Sequence, residues 1–133
     1  MLIDTNFAID LLEGLSQARV LAEEVDRSGE NLSIPAPTAF ELWVGASQAV
    51  SSKSTRQRLE AFLSAYPVAE FRREDARAAG ELQATLAKVG RTLGTVDAQL
   101  AGMGLARSET LLTADAKLLG LGHGLLVRAY RVR

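Results

Sequence analysis

The sequence predicts an α/β fold. Its expected form is three layers, α/β/α, around a short, mainly parallel central sheet of about five strands, in one domain over residues 1–133. Two observations carry this. Short apolar, β-prone runs alternate with stretches of helical period, and several of these runs stop abruptly on small polar residues. Neither a repeat nor a low-complexity linker interrupts the alternation. Strands separated by helices need crossover connections. These are right-handed, so the strands lie parallel with helices on both faces.

The first strand is Leu2-Ile3, which runs directly into Asp4-Thr5-Asn6. Asp, Thr and Asn continue a strand poorly, so a helix is expected over 7–12 with Asn6 as its N-cap. Leu15, Ala18, Leu21, Ala22 and Val25 mark one face of a second helix, ended at Ser28-Gly29. A second strand is read at 31–34, closed by Pro35-Ala36-Pro37, and a helix over about 38–49. After the polar break at 51–54, Leu59, Phe62, Leu63 and Tyr66 form the buried stripe of the next helix. Residues 66–70 supply a third strand. Glu74 and Asp75 suit the positive end of a long helix with Ala79, Leu82, Gln83 and Leu86 on one face. Gly90 and Gly94 bracket a loop, and another helix covers about 95–106. A fourth strand follows at 109–113, a short turn or helix at 114–119, and a fifth strand at 125–128.

Composition bounds the chemistry. Hydrophobic residues are 47% and charged residues 23% of 133, an ordinary globular balance. A net charge of −1 argues against a strongly cationic coat while leaving room for a local basic rim around an acidic cleft. There is no cysteine, which excludes disulfides, thiolate metal sites and cysteine nucleophiles. With His123 as its one histidine, the chain has no multi-histidine metal site. Any metal must be held by oxygen, which points to magnesium or manganese. No apolar run spans a bilayer and the N-terminus lacks a signal pattern, so the expected location is cytoplasmic, with no membrane partner.

Four carboxylates occupy comparable places. Asp4 and Asp115 follow strands; Glu41 and Asp97 fall in the first turn of helices. Ligands of open α/β sheets sit beyond the carboxyl ends of the strands. Each acid also has a structural reading. Asp4 and Asp115 can cap the helices that follow them, Glu41 can close a capping box with Thr38, and Asp97 can complement a helix dipole. Asp97 tips the balance. It shares a face with Leu100, Ala101 and Gly104, which should pack closely on the sheet, and no Lys or Arg lies one turn away on that face. An unpaired charge there is costly, and a divalent cation shared with Asp4 relieves it.

With these pieces in order, the chain resembles PIN-domain nucleases, in particular the VapC-type toxins of bacterial toxin–antitoxin pairs. The matching segments are Leu2-Ile3-Asp4-Thr5-Asn6, Pro37-Thr38-Ala39-Phe40-Glu41-Leu42, Gly94-Thr95-Val96-Asp97-Ala98-Gln99-Leu100-Ala101 and Leu111-Leu112-Thr113-Ala114-Asp115. The resemblance implies a Mg²⁺- or Mn²⁺-dependent endoribonuclease with catalytic acids Asp4, Glu41, Asp97 and Asp115. It also implies metal binding by Asp4 and Asp97, hydrogen-bond support from Thr5, Asn6 and Thr113, an RNA substrate, a small cognate antitoxin and a homodimer. Ala114 and Leu118 depart from many relatives, which carry Asn or Arg and an aromatic there. That puts substrate contacts in question but leaves the acids untouched.

Other features keep structural readings. His123 in Gly122-His123-Gly124 reads as a turn, and Phe40 and Trp43 as core or partner-facing side chains rather than base-stacking ones. Lys53, Arg56, Arg58, Arg72, Arg73 and Arg91 are candidates for a phosphate track, and Arg128, Arg131 and Arg133 for RNA or antitoxin contact. A PIN nuclease that is not a toxin stays open as an alternative, and so do two rival functions. One is a catalytically silent PIN module that binds RNA or protein. The other is a phosphohydrolase with Asp4 as nucleophile, which would want a second aspartate where Asn6 stands.

Overall fold

Alternate residues of the first strand face opposite ways, and this sets the layers. The computed structural model describes residues 1–130; Arg131 and Arg133, read above as contact candidates, lie outside them. β1 (Leu2–Ile3) sends Leu2 into a core with Leu82, Leu86, Leu100, Met103 and Leu111, and sends Ile3 into another with Phe7, Ala18, Ala39, Leu59 and Leu112. The first core belongs to α5 (Arg73–Ala87), α6 (Thr95–Arg107) and α7 (Ala116–Leu119). The second belongs to α1 (Thr5–Leu12), α2 (Ser16–Arg27), α3 (Ala36–Gln48) and α4 (Ser52–Ala65). The sheet lies between them, buried on both faces as a parallel sheet must be.

The remaining strands are β2 (Ile34–Pro35), β3 (Val68–Ala69), β4 (Leu111–Thr113) and β5 (Val127–Ala129). They pair in parallel as β1-β4-β5 and β2-β3, and a bridge between Leu2 and Ser33 joins the two ladders. The spatial order is therefore β3-β2-β1-β4-β5, with the switch in direction of winding between β1 and β4. Leu2 pairs with Leu111 and Ile3 with Leu112, so Asp4 and Thr113 leave the sheet side by side.

All five expected strands form; β1 has the expected residues, and the other four are shorter than or shifted from their sequence estimates. Pro35 does not end β2 before pairing: it sits opposite Ala69 and immediately precedes α3. Pro37 is tolerated in the first turn of α3 because the amide it lacks would have no helical partner there, so the helix starts two residues earlier than expected. α1 also starts early, at Thr5. Its N-cap is Asp4 rather than Asn6, with the Asp4 carboxylate accepting from the Phe7 amide at 2.9 Å. The turn at Gly122-His123-Gly124 is as expected, with φ of 74°, 55° and 84°. His123 is exposed in it.

α5 and α6 approach unusually closely. A Cβ built on Gly102 would lie 2.5 Å from the backbone nitrogen of Ala79, so only glycine fits there. About one turn along from this close approach, the same pair is tied by a buried charge. Asp75 is fully buried; the Arg72 amide donates to it at 2.7 Å and the Arg107 guanidinium at 3.0 Å, while Arg107 also donates to the Glu70 carbonyl. Burial alone would raise the Asp75 pKa, but the Arg107 and Arg72 hydrogen bonds and charges hold it below 3.8. Among the described residues no helix is long and apolar enough to cross a membrane.

Removing one partner of a buried pair strands the other. Arg107→Leu should cost about 3 kcal/mol of stability, or roughly 10 °C in Tm for a chain this size. Because the folded pKa of Asp75 is depressed, its contribution is present above the unfolded value and is lost as pH falls through the folded one. The Tm gap between wild type and Arg107→Leu should accordingly narrow in acid, as thermal melts across pH would show.

Candidate active site

Asp4 stands at the carboxyl end of β1, only 5% exposed. One carboxylate oxygen caps α1 and the other accepts from the Thr113 hydroxyl at 2.5 Å. The Ala114 amide adds a further hydrogen bond. Thr113 is itself gripped: its carbonyl accepts from the Tyr130 amide at 2.8 Å, and its hydroxyl accepts from the Asp115 amide at 3.0 Å. Burial pushes the Asp4 carboxyl up, these donors pull it down, and the Asp115 charge adds to the rise; the net result is a raised pKa. Asp4 thus fills both roles read for it, helix cap and buried acid.

Glu41 does not close a capping box. Thr38 lies inside α3, fully buried, and its hydroxyl donates to the Ile3 carbonyl at 3.2 Å. Glu41 is held instead by the Thr5 hydroxyl, which donates to its Oε1 across the gap between α1 and α3. Among the described residues, none bonds Oε2. Asp115 caps α7, with Oδ1 accepting from the Lys117 amide at 2.8 Å.

Asp97 is the unsatisfied member. It is half-buried in the first turn of α6, on the side of Leu100 and Ala101, and no described residue hydrogen-bonds its side chain. Its pKa is raised, first by burial and then by the charges of Asp115, Glu41 and Asp4. The four acids therefore act on one another in a single electrostatic site at the strand ends. Lys117, from α7, partly offsets this, and no pattern local to Asp97 announces it.

Of the expected supporting residues, Thr5 and Thr113 hold acids, whereas Asn6 is exposed and bonds none of them. Gln83 supports the site in a way its place on a helix face did not suggest. Its side-chain amide donates to the Leu93 carbonyl at 2.7 Å and accepts from the Leu93 amide at 3.0 Å. That pins the loop whose next residue, Gly94, is the N-cap of the Asp97 helix.

Among the described residues, no group of three His, Asp or Glu side chains is arranged to hold a metal ion as it stands. The donor set nevertheless suits a hard cation. Magnesium usually takes one or two carboxylates and keeps several waters. Asp97, unbonded and raised by its neighbours, with Asp4 beside it, has the chemistry of such a pair.

The outer cations divide. Arg72 pairs with Asp75, Arg128 with Glu24 at 3.5 Å, and Arg58 reaches the Leu12 carbonyl at 3.4 Å. Lys53 and Arg56 line a cleft of about 490 Å³ with Trp43, between α3 and α4. Phe40 is 63% exposed and Val44 40%, leaving an apolar strip on α3, while Trp43 packs partly into the core.

A sequence model described as PIN domain matches residues 1–123. Ribonuclease VapC19 of Mycobacterium tuberculosis is 31% identical over 116 residues, covering 87% of this chain and 89% of that protein. Among solved structures, a chain of VapBC2 from Rickettsia felis bound to a DNA fragment from its promoter superposes with a TM-score of 0.90. It is 21% identical and covers 98% of both chains. A chain of VapBC-1 from nontypeable Haemophilus influenzae gives 0.84 at 23% identity, covering 96% of both.

Asp4 and Asp97 have raised folded values, so the metal-free native state binds protons more readily than the unfolded chain. Their charge cost is greatest above those values and fades as pH falls through them. In EDTA at neutral pH, Asp97→Asn should therefore melt a few degrees above wild type, and this gain should shrink on acidification. A variant no more stable than wild type at neutral pH would mean that the acids do not strain one another.

Proposed function

The chain belongs to the PIN-domain family, and from that premise we propose that it is a Mg²⁺- or Mn²⁺-dependent endoribonuclease, the toxin half of a VapBC-type toxin–antitoxin pair. The observation that carries this reading is Asp97, a half-buried carboxylate with no hydrogen-bonding partner among the described residues, its pKa raised first by burial and then by three other acids. Its position costs stability unless a cation occupies it. The relative named as a ribonuclease supports the activity, and the neighbours described as VapBC complexes support a protein partner.

In this mechanism Asp4 and Asp97 would hold the cation. When bound, it supplies positive charge against the scissile phosphate and acidifies water for attack. The protein supplies the rest. Thr113 and the Phe7 and Ala114 amides fix Asp4 in one orientation, so it needs no reorganisation on loading. Thr5 fixes Glu41 through Oε1, leaving Oε2 to accept a proton from the attacking water. Asp115, tethered through Oδ1, presents Oδ2 to the same space. Nearby cations hold the phosphate backbone, and selectivity comes from RNA shape and unstacked bases.

The exposed strip of Phe40 and Val44 on α3, with Ile9 exposed on α1, gives an antitoxin helix an apolar seat. Restraint by a partner, a homodimer and a cytoplasmic location complete the proposal.

Cleavage of mixed cellular RNA should require Mg²⁺ or Mn²⁺ and stop in EDTA. Metal-replete wild-type protein that leaves RNA intact would favour the silent binding module instead. Glutamine keeps an oxygen for Thr5, so Glu41→Gln should retain its Tm while losing about 10²–10⁴-fold in cleavage rate. Cleavage at the wild-type rate would remove Glu41 from the site. Inducing the protein alone should arrest growth, Asp4→Asn at equal level should not, and co-expression of the small protein encoded beside it should restore growth. Normal growth with abundant wild-type protein would refute the toxin role.

A further inference from the structure

Beside the acids, two cations stand with no carboxylate bonded to them. Arg91, in the loop between α5 and α6, and Lys117, on α7, line one cavity of about 180 Å³. Thr92 shares its wall, and Leu86, Leu93 and Leu121 form its floor. Both cationic residues are exposed, and neither side chain has an ion-pair or hydrogen-bond partner among the described residues. Arg72, Arg77, Arg107 and Arg128 are ion-paired; other described cations, such as Arg19 and Arg27, are not, and what sets Arg91 and Lys117 apart is that they line one cavity beside the acids. Two unpaired like charges on one small cavity repel unless an anion comes between them.

The cavity is built rather than floppy. The Arg91 amide donates to the Leu86 carbonyl at 2.9 Å, and Gln83 clamps both backbone groups of Leu93. The loop therefore needs little ordering to receive a ligand. Its position is also set: Lys117 lies two residues beyond Asp115 and its charge reaches Asp97, while Leu93 adjoins the N-cap of the Asp97 helix. Whatever fills the cavity lies on the rim of the acidic site. A guanidinium and an ammonium at the mouth of one small cavity match a backbone phosphate, whose oxygens both can bond.

We propose that the Arg91–Lys117 cavity is a subsite for a backbone phosphate of single-stranded RNA next to the bond to be cut. This rests on the ribonuclease reading and adds to it the residues that hold the strand.

The test is the salt dependence of binding to a mixed-sequence single-stranded oligoribonucleotide, measured in magnesium in an Asp97→Asn background so that the strand survives. Each single-strand phosphate contact contributes about 0.7 to the slope of log K against log salt. Arg91→Ala with Lys117→Ala should make that slope shallower by about 1.4 with an unchanged melting curve. Arg91→Lys with Lys117→Arg should keep it. Arg19→Ala with Arg27→Ala, two exposed cations on α2 in the opposite helix layer, should also leave it unchanged. An unchanged slope in the first pair, or equal loss in both neutralised pairs, overturns the subsite. Wild-type protein cutting the same oligonucleotide, with EDTA as control, tests the ribonuclease reading separately. If the wild type neither binds nor cuts, that reading fails and takes the subsite with it.

Discussion

The hydrogen bond from Thr113 to Asp4 joins residues 109 positions apart, and the site depends on it. It can form only because β1 and β4 pair in parallel and in register, Ile3 beside Leu112, so that the next residue of each strand emerges at the same end of the sheet. A slip of one residue would turn Leu2 and Ile3 into each other's cores and carry Asp4 to the wrong face. The register that buries the apolar pair is thus the register that assembles the acids. Fold and site are specified by one pairing.

The parts of this that local chemistry determines were legible in the sequence. Leu2-Ile3 before Asp4 announces a strand ending on an acid, and Asp97 on a face of Leu100, Ala101 and Gly104 announces a carboxylate drawn inward without a partner. Glu41 was ambiguous because Thr38-Ala39-Phe40-Glu41 satisfies the pattern of a capping box. What decides the matter is that α3 begins at Ala36, which places Thr38 inside the helix. That start hinges on Pro35 being both the end of a strand and the residue before a helix, a double use that propensity cannot weigh.

The parts that escaped are pairings across the chain. Arg107 reaches Asp75 from 32 residues away, and Thr5 reaches Glu41 from 36. The Lys117 charge is felt at Asp97 from 20 residues along the chain. Gln83 sits at helical spacing with Ala79, Leu82 and Leu86 and reads there as an incidental polar residue on a buried face. Its two bonds to Leu93 become visible only once the loop has folded back. Patterning specifies which face a residue occupies, whereas long-range partners follow from topology.

The two buried aspartates show how the chain treats a costly charge. Asp75 is fully buried, yet amide and guanidinium donors surround it, and its carboxyl is held below the ordinary value. Asp4 is nearly as buried and receives three donors, but burial and a like-charged neighbour still leave it raised. Asp97 is less buried than either and receives none. Burial alone therefore does not order these groups, nor does the number of donors; the charge beside each does, cations at Asp75 and other acids at Asp4 and Asp97. Where a charge serves the fold, the chain completes its shell. At the strand ends it leaves the shell incomplete, and consistent folding rules are broken where a site is built. On the proposed reading, the unmet demand at Asp97 is the room left for a cation.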